Sequence, residues 1–428
     1  MRLWLIPMIY VGVSVVCGLT LPRIEQAHFA EFTIGLSVSS AQAYLSAAAS
    51  GMMALTGVIF AMAFVMVQFS AIAYSPRLVL YFARNPSLFH SLGVFVATFV
   101  YSLCELAWVD RGGSGKVPLW SSLVVVGLVI LSMVLFARLI QRLNDLQISS
   151  VLKTIGDRGR AVIRDMFQRL DEDSPAKGQA GQASIDAGYL GPATQTVTYS
   201  GEPRIIGELD IRRLVAAARR AGAVIVMSHA VGDTILDGAA LLSVHGAGAR
   251  IAEPELMRAV RLAPERTFEQ DPKYALRLLV DIAIKALSPA INDPTTAVQA
   301  IDQIEDLLRR LGRRDLDAGY ARDRDGKLRL VYPMPTWEDY LTLAFDEIRQ
   351  FGASSVQVMR RLRSTLVELA VVQTSPERAD AVRRYLKHLD LVIERSPFDD
   401  EDRVTARQED RQGLGLTRKR AAPATPAA

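Results

Sequence analysis

The run Tyr44–Ala73 holds thirty consecutive residues without one charged side chain. A helix of that length reaches about 45 Å at about 1.5 Å per residue, more than the hydrocarbon core of a bilayer, so it must tilt or project beyond it. Three further apolar runs lie near it: Leu3–Leu21, Leu88–Val109 and Pro118–Ile140. Each is long enough to cross. A secretory signal is the rival reading of the first, because Arg2 precedes it. Its length, and the lack of a small-x-small cleavage pattern before Pro22-Arg23, favour a retained span. Charged residues are sparse before Arg138 and dense after it, which reconciles a mean hydropathy of +0.19 with 22% charged residues. The expected fold is a membrane α-helical bundle of four transmembrane helices over 1–140 that carries a large water-soluble region.

Lysine and arginine set the orientation. Arg138, Arg142, Lys153, Arg158, Arg160 and Arg164 form the strongest basic cluster beside any run, so the chain is expected to leave the fourth span on the cytoplasmic side. Four crossings then place the N-terminus there too, with the loop Pro22–Ala43 and the Gly-rich hairpin 110–117 outside. Trp108 and Trp120 flank that hairpin, where indoles favour the interface. Between the second and third runs, Ser75-Pro76 supplies a cap and an N1 proline. Leu78, Val79, Tyr81 and Phe82 follow between Arg77 and Arg84. This pattern predicts a short interfacial helix with both arginines toward headgroups; a greasy turn is the alternative. Ser50, Ala54, Gly57 and Ala61 are spaced for close helix packing, within the bundle or between subunits.

Two polar residues fall inside the runs, Gln68 and Glu105. An intramembrane ionisable group is a functional candidate, although Glu105 is near enough to the outer end to reach the interface. No run carries the Asp, Glu or His series of a proton pump, so a strongly coupled transporter is not expected. Cys17 and Cys104, the only two cysteines, lie in apolar runs and read as small hydrophobes. The net charge of +4 and the lack of basic–aromatic alternation give no nucleic-acid footprint.

After the fourth span, 141–187 reads as a juxtamembrane helix and a flexible linker. A small α/β module over 188–250 follows: a strand at Thr194–Ser200, a helix capped by Asp210 and closed by Gly222, and a strand at Ala223–Met227. The stretch VGDTILDGAALLSVHG looks like the turn-and-strand pattern of the barrel-sandwich modules of lipoyl and biotinyl carriers. Those carriers need a lysine at a hairpin tip, and no lysine lies between Lys177 and Lys273, so no covalent cofactor is expected. Residues 251–395 read as a helical cytoplasmic domain. Within it Asp271-Pro272 and Asp293-Pro294 each start a helix, with Asp281 and Lys285 forming an i,i+4 pair on the first. Ala297, Ile301, Ile304, Leu308 and Leu311 line the apolar face of the second. Trp337–Val372 reads as helical, and Ser375-Pro376 starts a last helix to Arg395. Residues 396–428 read as a disordered tail. The soluble region is therefore an α+β domain, mostly helical, with a small β-rich barrel-sandwich-like module.

Three stretches together, GVIFAMAFVMVQFSAIAYSPRLV, GVFVATFVY and RTFEQDP…LVDIAIKALSPAINDPTTA, resemble a widespread family of predicted bacterial membrane proteins of unknown function, marked by an SPxINDP motif. The likeness runs from the first span to about Gly352. It implies the four-span layout and the soluble domain, hence a bacterial inner (plasma) membrane, and it implies no activity. The polar elbow, with Asp271, Asn292, Asp293 and Thr295, is a candidate ligand or ion site, because helix starts hold anions and carboxylates hold hard cations; capping alone is the structural alternative. No catalytic constellation, zinc spacing or phosphate-binding loop is visible, so neither an enzyme nor a metal is expected. The leading functional reading is a homo-oligomeric, channel-like membrane protein with a cytoplasmic regulatory domain. The alternative is a membrane-anchored sensor or scaffold that binds a partner or small ligand. The partners expected are the bilayer, further copies of the chain and an unidentified cytoplasmic partner.

Overall fold

The computed structural model describes residues 4–28, 37–73, 86–111, 117–143, 147–167, 190–246, 250–316, 318–373 and 375–415. The chain divides into two compact units, Met1–Val151 and Leu152–Ala428. Arg77 and Arg84, with the interfacial helix expected around them, lie outside the described residues.

The first unit consists of α1 (Leu5–His28), α2 (Val38–Ala73), α3 (Pro86–Leu106) and α4 (Leu119–Leu143). Each contains a stretch long and apolar enough to cross a membrane, where helices satisfy every backbone polar group internally. Helix α3 packs against each of the others and is the most enclosed of the four. Glycines set its closest approach. A Cβ on Gly18 of α1 would lie 2.7 Å from Cys104 Cβ, and one on Gly93 of α3 would lie 2.6 Å from the Tyr10 ring. The Ser14 hydroxyl donates to Ala97 O at 2.6 Å beside this crossing. By contrast, Ser50, Ala54, Gly57 and Ala61 are all exposed, and nothing lies within 4 Å of a Cβ built on Gly57. The packing of the described bundle does not use them.

Helix α1 also runs through Pro22 to His28, past the end expected at Leu21. A proline removes one ladder hydrogen bond, and here the helix continues through it. Glu25, expected in an outer loop, is therefore a helical residue, buried at 6% exposure.

The second unit begins in α5 (Ile148–Met166) and continues with strands β1 (Ala193–Thr198), β2 (Arg204–Leu209), β3 (Val224–Met227), β4 (Thr234–Ile235), β5 (Ala240–His245), β6 (Val260–Ala263), β7 (Tyr320–Arg322) and β8 (Leu328–Val331). A five-stranded sheet has the order β1-β5-β3-β8-β7 and a three-stranded sheet the order β4-β2-β6. Only the β3–β8 pair is parallel. Neither sheet closes into a barrel among the described residues. Helix α6 (Ile211–Ala221) follows the expected signals: Asp210 accepts from Arg213 N, and Gly222 closes it at φ +64°. Its buried Leu214 and Ala218 join Val197, Ile206, Ile225, Leu242 and Leu330 in one apolar core.

The remaining helices are α7 (Glu253–Arg258), α8 (Pro272–Ala286), α9 (Pro294–Leu311), α10 (Trp337–Phe351), α11 (Val356–Val372), α12 (Pro376–Arg395) and α13 (Asp400–Ala406). The apolar stripe of α9, Ala297, Ile301, Ile304, Leu308 and Leu311, is wholly buried. Trp337–Val372, expected to be helical, comprises two helices, because Gly352 caps the first and the Ser355 side chain accepts from Val358 N to start the second. Asp281 accepts from Arg277 at 2.6 Å, and Arg277 also forks onto Glu347 of α10 at 2.6 and 2.7 Å. Arg361 of α11, 8% exposed, reaches Asp302 and Glu305 of α9 at 2.7 Å each.

Residues 396–415, expected within a disordered tail, instead include α13 and a tight loop on the core. The buried Asp410 carboxylate accepts from the N–H groups of Gln412, Gly413 and Gly415. Gln357 and Arg360 donate back to Gly413 O and Gly415 O at 2.6 and 2.8 Å. A single aspartate thus organises a charged, glycine-bearing segment that composition reads as tail.

Candidate functional site

The second unit contains a cavity of about 520 Å³. Helix α5 lines it through Arg158, Ala161, Val162, Asp165 and Met166, together with Ile211, Val231, Tyr332 and Met334. The loop Phe268-Glu269-Gln270 and Ala318 complete it. The lining is largely apolar with a few charged groups, the usual make-up of a small-molecule site. The Arg158 guanidinium lies 5.1 Å from the Phe268 ring centroid, within cation–π range. Two methionines supply adaptable surface.

The loop is pinned from behind. Gln270 adopts φ +52°, a conformation uncommon outside glycine. Its amide donates to Leu209 O at 3.1 Å and accepts from Leu209 N at 3.0 Å. These are the two bonds a neighbouring strand would make to the end of β2.

Asp271 follows directly. Its carboxylate is 2% exposed and neither oxygen completes a hydrogen bond. It stands at the start of α8 without capping it by side chain. Arg266 Nε is 3.9 Å away and itself donates to Gly232 O at 2.7 Å. Gly232, at φ +91°, is pressed so close that a Cβ there would lie 2.3 Å from Asp271 Oδ2. Only glycine fits this contact without strain. Burial pushes the Asp271 carboxyl above the usual aspartate range, opposed by Lys273, Arg266 and the N–H groups at the helix start. Burial and the Asp271 charge push the phenol of Tyr340, whose hydroxyl is also enclosed and unpartnered, in the same direction.

Asp271 is not brought to the other three elbow residues. Asp271 and Asp293 start successive helices, separated by the length of α8, about 22 Å for its fifteen residues. Asp293 is a working cap: Oδ1 accepts from Thr296 N at 3.1 Å and Oδ2 from Thr296 Oγ1 at 2.6 Å. Asn292 (φ +48°) and Thr295 are exposed beside it. Of the intramembrane pair, Gln68 is exposed on α2. Glu105, read as near enough to the outer end to reach the interface, is wholly enclosed, with Oε1 accepting from Ser122 Oγ at 2.6 Å. Sequence reasoning found Asp271 and missed the cavity, whose walls come from segments more than a hundred residues apart. The local signal was the unusual density of RTFEQDP, which carries three lining residues and the buried aspartate. Among the described residues no group of three or more His, Cys, Asp or Glu side chains is placed to hold a metal ion.

The family described as "Predicted membrane protein (DUF2254)" matches residues 1–368. An uncharacterized protein of Mycobacterium bovis is 28% identical over 375 residues, which is 85% of this chain and 70% of the relative. An uncharacterized protein of Mycobacterium tuberculosis matches with the same identity and coverage. No solved structure matches the chain significantly. The chain belongs to the DUF2254 family of predicted membrane proteins.

Proposed function

We propose that this membrane protein is a ligand-binding sensor anchored by its four spans, and that its ligand is a small, largely apolar molecule with one polar end. The observation that carries this reading is the cavity between α5 and the loop 268–270, apolar in most of its lining and edged by Arg158, Asp165 and Glu269. The role is binding rather than catalysis. The test is a thermal-shift screen of the full-length protein in detergent against a panel of amphipathic metabolites, repeated on Ala161→Trp, which fills the cavity from α5. A stabilising ligand whose effect Ala161→Trp removes supports the reading. A panel without a shift, or a shift that survives the filled cavity, contradicts it.

The second reading is a homo-oligomeric, channel-like assembly with the soluble unit as its regulatory domain. The bare stripe Ser50, Ala54, Gly57 and Ala61 on α2 favours it, since small residues let helices of separate copies approach closely. A defined multimer in mild detergent, with conductance in planar bilayers, would support it; a monomer would remove it. Both readings place the protein in the bacterial inner membrane with its termini in the cytoplasm, on the basic residues that follow α4. A reporter fused behind Ile140 is expected to be active only in a cytoplasmic form.

A further inference from the structure

Two carboxylates in the first unit meet at the start of one helix. Glu25 Oε1 accepts from Trp120 N at 2.9 Å, and its Oε2 from Ser121 N at 3.2 Å and Ser121 Oγ at 3.3 Å. It therefore takes two of the free N–H groups of α4 and the partial positive charge they carry. Glu105 reaches the next residue, Ser122, but only its hydroxyl. Glu105 is 0% exposed, and its Oε2 has no hydrogen-bond partner. One turn earlier on the same face of α3 stands Tyr101, 1% exposed, whose hydroxyl is also unpartnered. Tyr44 Oη closes the group from α2 by donating to Ser122 O at 2.8 Å.

The cluster is short of positive charge. Among the described residues no basic side chain forms an ion pair with Glu25 or Glu105. The nearby arginines are engaged elsewhere: Arg111 and Arg23 lie over the Trp108 ring at 4.0 and 5.4 Å. An isolated carboxylate in an enclosed site is costly, and a second one on the adjacent residue raises that cost. One helix start supplies about half a charge, too little for two acids. A single bound cation would remove the deficit and give Oε2 its missing partner. The free atoms, Glu105 Oε2 and Tyr101 Oη, are both oxygens, as a hard cation or a proton requires.

We propose that Glu105 is the binding site of a small monovalent cation, a proton or Na+, inside the four-span unit, with Tyr101 and Ser122 positioning it and Glu25 held apart as the fixed charge. The proposal does not depend on the cavity of the second unit, and its failure would leave that reading untouched.

The test is labelling of the full-length protein with dicyclohexylcarbodiimide, a hydrophobic probe that adds across the O–H of a protonated carboxyl, with mass-spectrometric mapping of the adduct. The expected result is an adduct on Glu105 that Glu105→Gln abolishes. If a proton is the occupant, the yield falls several-fold as pH is raised and ignores Na+. If Na+ is the occupant, added NaCl suppresses labelling several-fold at fixed pH where choline chloride does not. The pH and salt series use the native chain, so they stand even if the variant misfolds. An adduct on Glu25 instead, no adduct on Glu105 at any pH, or a yield on Glu105 that responds to neither pH nor Na+ would overturn the proposal.

Discussion

The two units of this chain solve packing in opposite ways. In the first, large apolar side chains face outward: Phe60, Phe64, Ile130 and Met133 are each more than half exposed. In the second, Ile225, Leu242, Ile301 and Leu308 are wholly buried. Lipid removes the difference between inside and outside for an apolar side chain, so burial alone cannot hold the spans together. What holds them is close approach at Gly18 and Gly93 and hydroxyl bonds such as Ser14 to Ala97 O. In the second unit apolar burial does most of the work, and charge enters the core where it is paired or hydrogen-bonded, Asp271 being the exception. Arg361 between Asp302 and Glu305 is a paired case, with Thr365 Oγ1 completing Glu305 at 2.9 Å.

That contrast can be broken most severely at Arg361. Arg361→Ala removes two charge-assisted bonds, to Asp302 and to Glu305, and leaves the buried Glu305 with Arg309 as its one remaining counter-charge. At about 1.5–3 kcal/mol for each such bond the loss is expected to reach about 3 kcal/mol or more, read as a lower midpoint in denaturant unfolding of the second unit. A loss below about 1 kcal/mol, the scale of an exposed pair, would mean that the network does not join α9 to α11. Next comes Gly93→Leu, which drives a side chain into Tyr10 and Pro7. Overpacking of this kind costs about 1–3 kcal/mol and is expected to lower the thermal stability of the detergent-solubilised protein. Gly57→Leu, with nothing in its way, is expected to leave that stability unchanged. Equal effects at the two glycines would contradict the helix contacts, and a changed oligomeric mass with Gly57→Leu alone would sharpen the second functional reading.

Gly232→Ala tests the wall behind the cavity. A methyl there meets Asp271 Oδ2 at a left-handed backbone position, so a loss of more than about 1 kcal/mol is expected. The smallest effect is the pH dependence at Asp271. Its folded carboxyl titrates above the ordinary aspartate value of about 3.9. Its contribution is therefore fully present below that value and is lost as pH rises through the raised folded one. Asp271→Asn is expected to melt above the native chain at neutral pH, with the gap closing as pH falls. A gap that widens on acidification would contradict the burial account of this residue.

Much of the fold was legible where local chemistry decides it. Asp210, Asp293 and Ser375 cap the helices their positions announce, and Gly222 ends α6 in the left-handed conformation. The apolar runs marked all four helices of the first unit. What stayed hidden depends on partners distant in sequence. The short strands β7 and β8 exist because β8 pairs with β3, about a hundred residues earlier. Helix α1 extends through Pro22, and Glu25 finds its partners at Trp120 and Ser121. Asp271 was visible as a helix start, but its lack of hydrogen bonds and its contact with Gly232 follow only from how the sheet meets α8. The Asp-Pro signal is the same at Asp271 and Asp293, and only one of the two caps with its side chain.

Helices α1 to α4 are long and apolar enough to reside in lipid, whereas the second unit buries its apolar side chains in a core of its own. Extraction of cell membranes with alkaline carbonate tests that residence most directly. The full-length protein is expected to stay wholly in the membrane pellet, as four apolar helices require, and to leave it only with detergent. Release into the carbonate supernatant would contradict the account, because a protein held only at the surface would behave that way.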